Sequence, residues 1–546
     1  MPISSPREAV DIREESVYDA VFADLRPEEE SKPAIIDPLT GTTTSYGELR
    51  AAIDAFAGAL AARGVKPKDV VALHCPNSLP FVVAFHGIMR AGATVTTVGS
   101  LAPAADIAKQ LKDSGATLVL TATPLADAAR GGAAQAGLPD NSVIDLFAPE
   151  GGLQSMLAEG AQAPHPHIDS HPHIDPRTHV AVLPYSSGTT GIPKGVMLSH
   201  YNLAANIRQV APALQDIGLH ADSTVMGVLP FFHIYGMNVL LNSTLRIRGA
   251  IVTMPKFDLE QFLQLHQQFD IDFSFIAPPI AVALAKHPMV GQYDLSALKY
   301  IQSGAAPLDK SLAEAVQKRL DVVVVQGFGM TETSPVTHNS IARVSPLDSI
   351  GSPVANTEFK VMELSDDTPI EQWAEITPPT NPGERSEAGE MWVRGPQVML
   401  GYLNNEEATR NTLLADGWLR TGDIVNLDHE GNAYVVDRAK ELIKYKGYQV
   451  APAELEALIL SREDVADVAV VGQRRAEDGE EVPHAFVVAA DGATIDEQEL
   501  LGWVAERVAP YKKVRFASFV DAIPKSATGK ILRKDLKASL PEVLSW

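Results

Sequence analysis

Apolar and polar positions along the chain alternate between two periods. From Thr43 to about Ile144 the apolar residues of Leu49 to Ala62 recur at helical spacing, and Phe81 to Met89 reads as a buried helix. Between them, Val70-Val71-Ala72-Leu73 is a short apolar strand, and Ala93-Thr94-Val95-Thr96-Thr97 and Thr117-Leu118-Val119-Leu120 follow as further strands. Strands separated by helices imply a parallel sheet, so the fold class is α/β. A second α/β run extends from Val180 to about Val325. Ile341 to Arg394 is richer in strand and turn signals and carries Pro/Glu/Thr-heavy text from Ile376 to Glu390 that reads as an exposed insertion. The expected architecture is a large N-terminal region, residues 1–437, of βαβ subdomains with a strand-rich end, followed by a small mobile α+β domain, residues 438–546.

The chain has 546 residues, a length that suggests three or four domain-sized units at about 150 residues each. Its formal charge of −23 argues against general binding to nucleic acid or an anionic membrane, because both would be repelled. The single cysteine, Cys75, excludes an internal disulfide framework and a cysteine-based zinc site. No stretch approaches the roughly 18 apolar residues of a membrane span. The start, Met1-Pro2-Ile3-Ser4-Ser5-Pro6-Arg7, reaches acidic residues before an apolar core could form, and Leu544-Ser545-Trp546 is not a peroxisomal address. The expected location is therefore cytoplasmic. Two features stand apart. His165-Pro166-His167-Ile168-Asp169 is repeated as His171-Pro172-His173-Ile174-Asp175, which reads as a duplicated surface loop because prolines interrupt it and no cysteine completes a metal site. Ala505 to Leu540 holds nine Lys/Arg against three Asp/Glu, a basic stretch that either solubilises a face or receives an anion.

Candidate chemistry begins at Tyr185-Ser186-Ser187-Gly188-Thr189-Thr190-Gly191-Ile192-Pro193-Lys194-Gly195, read between the run Val180–Leu183 and a helical pattern from Asn202. Glycines let backbone N–H groups approach phosphate oxygens, hydroxyls add donors, and Lys194 adds charge. The spacing does not fit a Walker A loop. Four further segments complete a set: Gly327-Phe328-Gly329-Met330-Thr331-Glu332-Thr333, Gly417-Trp418-Leu419-Arg420-Thr421-Gly422-Asp423, Asp437-Arg438-Ala439-Lys440-Glu441, and Pro524-Lys525-Ser526-Ala527-Thr528-Gly529-Lys530. In this order and spacing the five resemble the adenylate-forming superfamily of acyl-CoA synthetases, luciferases and peptide-synthetase adenylation domains. Leu229-Pro230-Phe231-Phe232-His233-Ile234-Tyr235-Gly236, Ser303-Gly304-Ala305-Ala306-Pro307-Leu308 and the run Lys444–Glu456 resemble 4-coumarate–CoA ligases and their luciferase-like relatives most.

The resemblance implies a set of roles. Ser186, Ser187, Gly188, Thr189, Thr190 and Lys194 would cover the ATP β- and γ-phosphates; Thr331 would touch the α-phosphate and Glu332 would hold Mg²⁺. Gly304, Ala305, Ala306, Gln326, Gly327 and Phe328 would frame the adenine, and Asp423 with Arg438 would take the ribose. Lys530 would bridge the carboxylate and α-phosphate in adenylation. Rotation about Lys440 would then withdraw it and bring in Lys444 and Gln449, with Lys446 and Gly447 along the path of CoA and Lys512 or Lys513 as candidates for its phosphates. His233 would gate the thiol tunnel, and Tyr235, Gly329, Pro335 and Val336 would line the acyl pocket. Glycine at 329 suggests room for an aryl ring, whereas Ala305 departs from the ligases, where a second glycine is expected. No aspartate follows Pro230-Phe231-Phe232 to receive an amino-acid ammonium. The implied activity is an ATP-, Mg²⁺- and CoA-dependent acid–thiol ligase acting on a hydroxycinnamate such as 4-coumarate. Alternatives are a medium-chain fatty acyl-CoA synthetase, an adenylation enzyme loading a carrier protein, and a luciferase-like oxygenase.

Overall fold

In the computed structural model the described residues are 2–162, 174–186, 193–364, 368–445, 448–474, 481–526 and 529–540. Residues 163–173, most of the His/Pro repeat, lie outside them. Contacts divide the chain into two compact units. The larger comprises Pro2–Phe359 with Val393–Leu419, and the smaller comprises Lys360–Trp392 with Arg420–Trp546.

The larger unit is built on two sheets. In the first, Val70–His74 lies parallel between Thr94–Thr97 and Leu118–Thr121, with Val143–Asp145 outside the latter. Val180–Val182 continues the other side in parallel, and Lys194–Ser199 and Gly401–Tyr402 close it antiparallel. Helix Tyr46–Ala62 packs its buried stripe Leu49, Ile53, Phe56 and Leu60 inward, and its start is fixed by a capping box between Ser45 and Glu48. Helix Leu79–Arg90 is buried nearly all round, as expected of an apolar helix between layers.

The second sheet has nine strands, six of them mutually parallel: Pro33–Asp37, Ala250–Thr253, Thr224–Gly227, Phe273–Ile276, Tyr300–Ser303 and Val323–Gly329. Val336–Asn339 then turns back antiparallel on Gly327–Gly329. The parallel strands end near Gly227, Ser303 and Gln326, and three of the resembling segments, Leu229–Gly236, Ser303–Leu308 and Gly327–Thr333, follow those ends, in line with the rule that open α/β sheets bind ligands at their carboxyl ends.

The smaller unit pairs Leu419–Leu427 antiparallel with Ala433–Arg438. It also holds Val465–Arg474 antiparallel to Glu481–Ala489, with Phe516–Phe519 parallel to the latter. Helices Pro452–Leu460 and Glu497–Ala505 bury Leu455, Ile459, Leu500 and Val504 against Val468, Val470, Ala485 and Val487. Residues 381–388 are almost wholly exposed, but the expected insertion from Ile376 to Glu390 is exposed only in part, since Gly389 and Glu390 are buried in strand Gly389–Arg394. Among the described residues no helix is long and apolar enough to cross a membrane.

Strand Val180–Val182 and helix His200–Asp216 flank the Ser/Thr/Gly segment as expected, but two further strands lie between them. Strand Tyr185–Ser186 pairs antiparallel with Lys194–Ser199, Ser186 opposite Lys194, before helix His200–Asp216 begins. Pro193 and Gly195 hide that strand in the sequence, since both are poor strand formers and only pairing on both edges holds the segment extended.

Candidate active site

Of the residues assigned to the phosphates, Ser186 and Lys194 can be placed; residues 187–192, with Ser187, Gly188, Thr189 and Thr190, lie outside the described residues. Lys194 opens its strand with its ammonium 4.9 Å above the ring of Tyr402. Ser186 Oγ donates to Glu332 Oε1 at 3.3 Å, and the Tyr402 hydroxyl donates to the same oxygen at 2.8 Å. Strand pairing places Tyr402, since Val196 lies opposite it. Burial, and then the charge of Glu332, push the Tyr402 phenol well above its ordinary range, so it stays a donor. The backbone carbonyl of Glu332 accepts from Met399 N at 2.9 Å. Glu332 is only 6% exposed. A largely buried carboxylate beside hydroxyls suits Mg²⁺, which binds through one or two carboxylates plus phosphate oxygens. Ser186, Lys194 and Glu332 are thus brought together. Tyr402 joins them with no signal in the sequence, because its place depends on pairing with a strand far back in the chain.

At the ends of the parallel strands, Gln326 is buried and fully engaged. Its Nε2 donates to the carbonyls of Leu308 at 3.1 Å and Leu347 at 2.5 Å, and its Oε1 accepts from Leu308 N at 2.8 Å. That bracket fixes the turn Gly304-Ala305-Ala306-Pro307. Ala305 is exposed with φ +71°, a left-handed conformation that costs an L-residue but not glycine. The turn therefore has the shape expected of glycine, with alanine in it.

Tyr235 opens a π-helical segment, Tyr235–Ser243. Its hydroxyl donates to Gln302 O at 3.1 Å, and its ring meets Phe275 edge-on at 6.2 Å. A Cβ at Gly304 would lie 2.8 Å from that ring, so Gly304 and Tyr235 require each other. His233, half-buried, accepts from Tyr235 N at 3.4 Å through Nδ1. Gly329 faces Pro335 and Val336, and a Cβ there would lie 2.0 Å from Pro335 O, so close backbone approach accounts for this glycine without an aryl ring. Asn206 holds Val336 from both sides, donating to its carbonyl at 2.8 Å and accepting from its N at 3.1 Å. Phe328 lies edge-on to His338 at 6.2 Å, while Thr331 is half-buried beside Glu332.

In the smaller unit, Gly422 (φ +71°) turns the chain so that Asp423 faces Arg438 across the strand pair. Glu390 braces the turn, accepting from Gly422 N at 3.2 Å and from Arg420 at 2.9 and 3.1 Å. Arg438 Nε lies 3.3 Å from Asp423 Oδ1, whereas Oδ2 is buried with no hydrogen-bond partner among the described residues. Burial raises the Asp423 carboxyl to about 6 against the opposing charges of Arg438 and Lys530. Lys530 comes from a hairpin closed by Ser526 N donating to Lys530 O at 2.8 Å and by the bridge Lys525–Ile531. Burial and Arg438 hold its amine below its ordinary range, while Glu441 and Asp423 pull the other way. Asp423, Arg438 and Lys530 therefore form one electrostatic group.

Lys440 is exposed, as is Lys444, whose Cα pairs with that of Gln449. Lys446 and Gly447 lie outside the described residues, as do the contacts of the Gln449 side chain. Part of the basic stretch is paired internally: Lys512 with Glu454 at 2.6 Å and Lys525 with Asp467 at 2.5 Å. Arg533 ties the carboxylates of Glu456 (2.7 and 2.8 Å) and Glu441 (2.8 Å) to the carbonyl of Val470 (3.2 Å). Sequence reading passed over this hub, although Arg533 stands three residues beyond Lys530.

The arrangement is that of a nucleotide-activating enzyme. A family model described as AMP-binding enzyme matches residues 24–403, and one described as AMP-binding enzyme C-terminal domain matches residues 454–530. The chain belongs to this family of adenylate-forming enzymes. Among named relatives, 4-coumarate–CoA ligase 2 of Nicotiana tabacum is 40% identical over 520 residues, 93% of this chain and 92% of the relative. The 4-coumarate–CoA ligase of Pinus taeda is 39% identical, with 93% and 92% covered. Among solved structures, ATP-bound MatB from Rhodopseudomonas palustris superposes with a TM-score of 0.82 at 26% identity, over 96% of this chain and 98% of that one.

Proposed function

We propose that this chain converts 4-coumarate, or a closely related hydroxycinnamate, to its CoA thioester in two half-reactions. The reaction class, an AMP-forming carboxylate–CoA ligase, rests on relatives about 40% identical across nearly the whole chain. First, the acid and ATP give an acyl-adenylate and pyrophosphate; CoA then displaces AMP. A carboxylate attacking a phosphate of like charge needs cations, and Lys530 and Lys194 are the residues assigned to supply them. Glu332, with Ser186 and Tyr402 on one oxygen, would hold Mg²⁺, which lowers the charge that the attacking carboxylate meets. Asp423 Oδ2 supports the ribose reading: a buried acceptor with no partner is what a pair of hydroxyls satisfies. Swinging about Lys440 would replace Lys530 with Lys444 and Gln449 for thiol attack, with residues from 438 onward as the moving part. A cytoplasmic location belongs to the same reading, since the single cysteine is buried and free and needs no oxidising compartment.

The observation that carries the proposal is the union of Ser186, Lys194 and Glu332 at the strand ends of a chain so similar to 4-coumarate–CoA ligases. AMP release with ATP, Mg²⁺ and CoA, measured across 4-coumarate, ferulate, benzoate, octanoate and phenylalanine, tests it. Turnover confined to the two hydroxycinnamates is expected. Preference for octanoate would overturn the substrate and keep the mechanism. Pyrophosphate exchange with no CoA product would instead identify a carrier-protein partner.

A further inference from the structure

Asn202 is 5% exposed, and every hydrogen-bonding position of its amide is in use. Its Oδ1 accepts from Ser199 N at 3.0 Å and Ser199 Oγ at 2.8 Å, and its Nδ2 donates to the carbonyls of Pro396 at 2.9 Å and Val398 at 2.8 Å. Ser199 ends the strand that Lys194 opens and caps helix His200–Asp216. The oxygen of Asn202 completes that cap, but capping does not use the two bonds from Nδ2, which reach carbonyls far along the chain. Val398 precedes Met399, whose N–H donates to the Glu332 carbonyl, and Tyr402 follows, its hydroxyl on the Glu332 carboxylate. Strand pairing fixes Tyr402 against Val196, whereas Asn202 grips two carbonyls of the turn before it. One helical turn on and on the same face, the buried Asn206 grips Val336 by its N–H and carbonyl, just beyond Glu332. Two amides of one helix thus hold the chain on both sides of the Glu332 cluster.

We infer that Asn202 is a positioning residue for the divalent-cation site: by tying the turn 396–399 to the end of the Lys194 strand, it sets Glu332 and Tyr402 in place and raises the affinity for Mg²⁺. The inference rests on the reading above that Glu332 holds Mg²⁺. Groups that orient a metal ligand from behind account for about 10–100-fold in metal affinity. Asn202 acts through Met399 rather than on the carboxylate itself, so the low end of that range is expected.

The test titrates Mg²⁺ into the enzyme with saturating ATP and no acid, following the rise in unfolding temperature that the bound cation confers. It compares the native chain with Asn202→Leu, Asn202→Ser, Glu332→Gln and His266→Leu. Asn202→Ser keeps an oxygen for Ser199 while losing both bonds to carbonyls, and it decides alone if Asn202→Leu does not fold. His266→Leu removes a buried side chain of another helix, bonded to Phe262 O at 2.7 Å and Ser274 Oγ at 2.8 Å, and so controls for lost stability as such. The Mg²⁺ concentration at half-effect should rise about tenfold in the Asn202 variants and stay native in His266→Leu. The Mg²⁺ activation constant for pyrophosphate exchange should rise in step, with the KM for 4-coumarate unchanged. A native half-effect in Asn202→Ser, with Glu332→Gln shifted, overturns the inference alone, as does an equal shift in His266→Leu. No shift in Glu332→Gln overturns the cation reading of Glu332 and the inference with it.

Discussion

Asp423 shows how one buried residue can couple ligand affinity to pH. Its carboxyl titrates near 6 in the folded chain against an ordinary 3.8, so folding disfavours the ionised form. A raised folded value means that the stabilising contribution is present below about pH 3.8 and lost as pH rises through about 6. The proposed ribose contact has the opposite demand, because both hydroxyls would donate to an ionised carboxylate. The KM for ATP should therefore rise as pH falls below about 6, by roughly tenfold per unit. In Asp423→Asn it should be high and flat over pH 5–8. Ala305 gives a second expectation. Glycine at φ +71° relieves about 1 kcal/mol of left-handed strain, so Ala305→Gly should raise the denaturation midpoint with an unchanged slope. The sequence marked both positions, Asp423 by its Thr-Gly-Asp turn and Ala305 as a departure. It did not show why glycine stands at 329, because the Pro335 carbonyl that fills the Cβ space becomes its neighbour only when the chain reverses.

Among elements, local periodicity carried most of what was legible. Helix Tyr46–Ala62 and strand Val70–His74 stand within a few residues of where the apolar spacing puts them, since each is decided by its own side chains and cap. Strand Lys194–Ser199 was not legible because its pairing partners, not its residues, hold it extended. The same non-locality hid Tyr402 and the bonds of Asn202 to the carbonyls of Pro396 and Val398. Arg533 is an element-scale device: it joins the start of helix Arg533–Ser539 to helix Pro452–Leu460, to strand Val465–Arg474 and to Glu441. Arg533→Met leaves the buried Glu456 carboxyl without its ion-pair partner, a loss of about 3–5 kcal/mol for a broken buried pair. Calorimetry should show a large drop in the unfolding temperature of the variant, and Arg533→Lys should recover part of it.

At the scale of the whole molecule, five short motifs in order were enough to indicate a nucleotide-activating fold, because each would supply a group that phosphate, ribose or carboxylate chemistry requires. Their assembly was not derivable from any one of them. Two lysines, Lys530 and Lys444, are assigned to successive half-reactions, so substitutions should separate the steps. Lys530→Ala should abolish acid-dependent pyrophosphate exchange while ATP binding, followed by equilibrium dialysis, stays largely intact. The same variant should still form thioester from supplied coumaroyl-adenylate and CoA, whereas Lys444→Ala should lose that second step and keep the exchange.

The most direct test is a single-turnover experiment with enzyme in excess over 4-coumarate, with ATP and Mg²⁺ present and CoA withheld and then added. Coumaroyl-adenylate and pyrophosphate should form in equal amounts before CoA is added. On its addition, the adenylate should convert one-to-one into coumaroyl-CoA and AMP. No adenylate before CoA, or an adenylate that CoA leaves untouched, would contradict the two-step ligase.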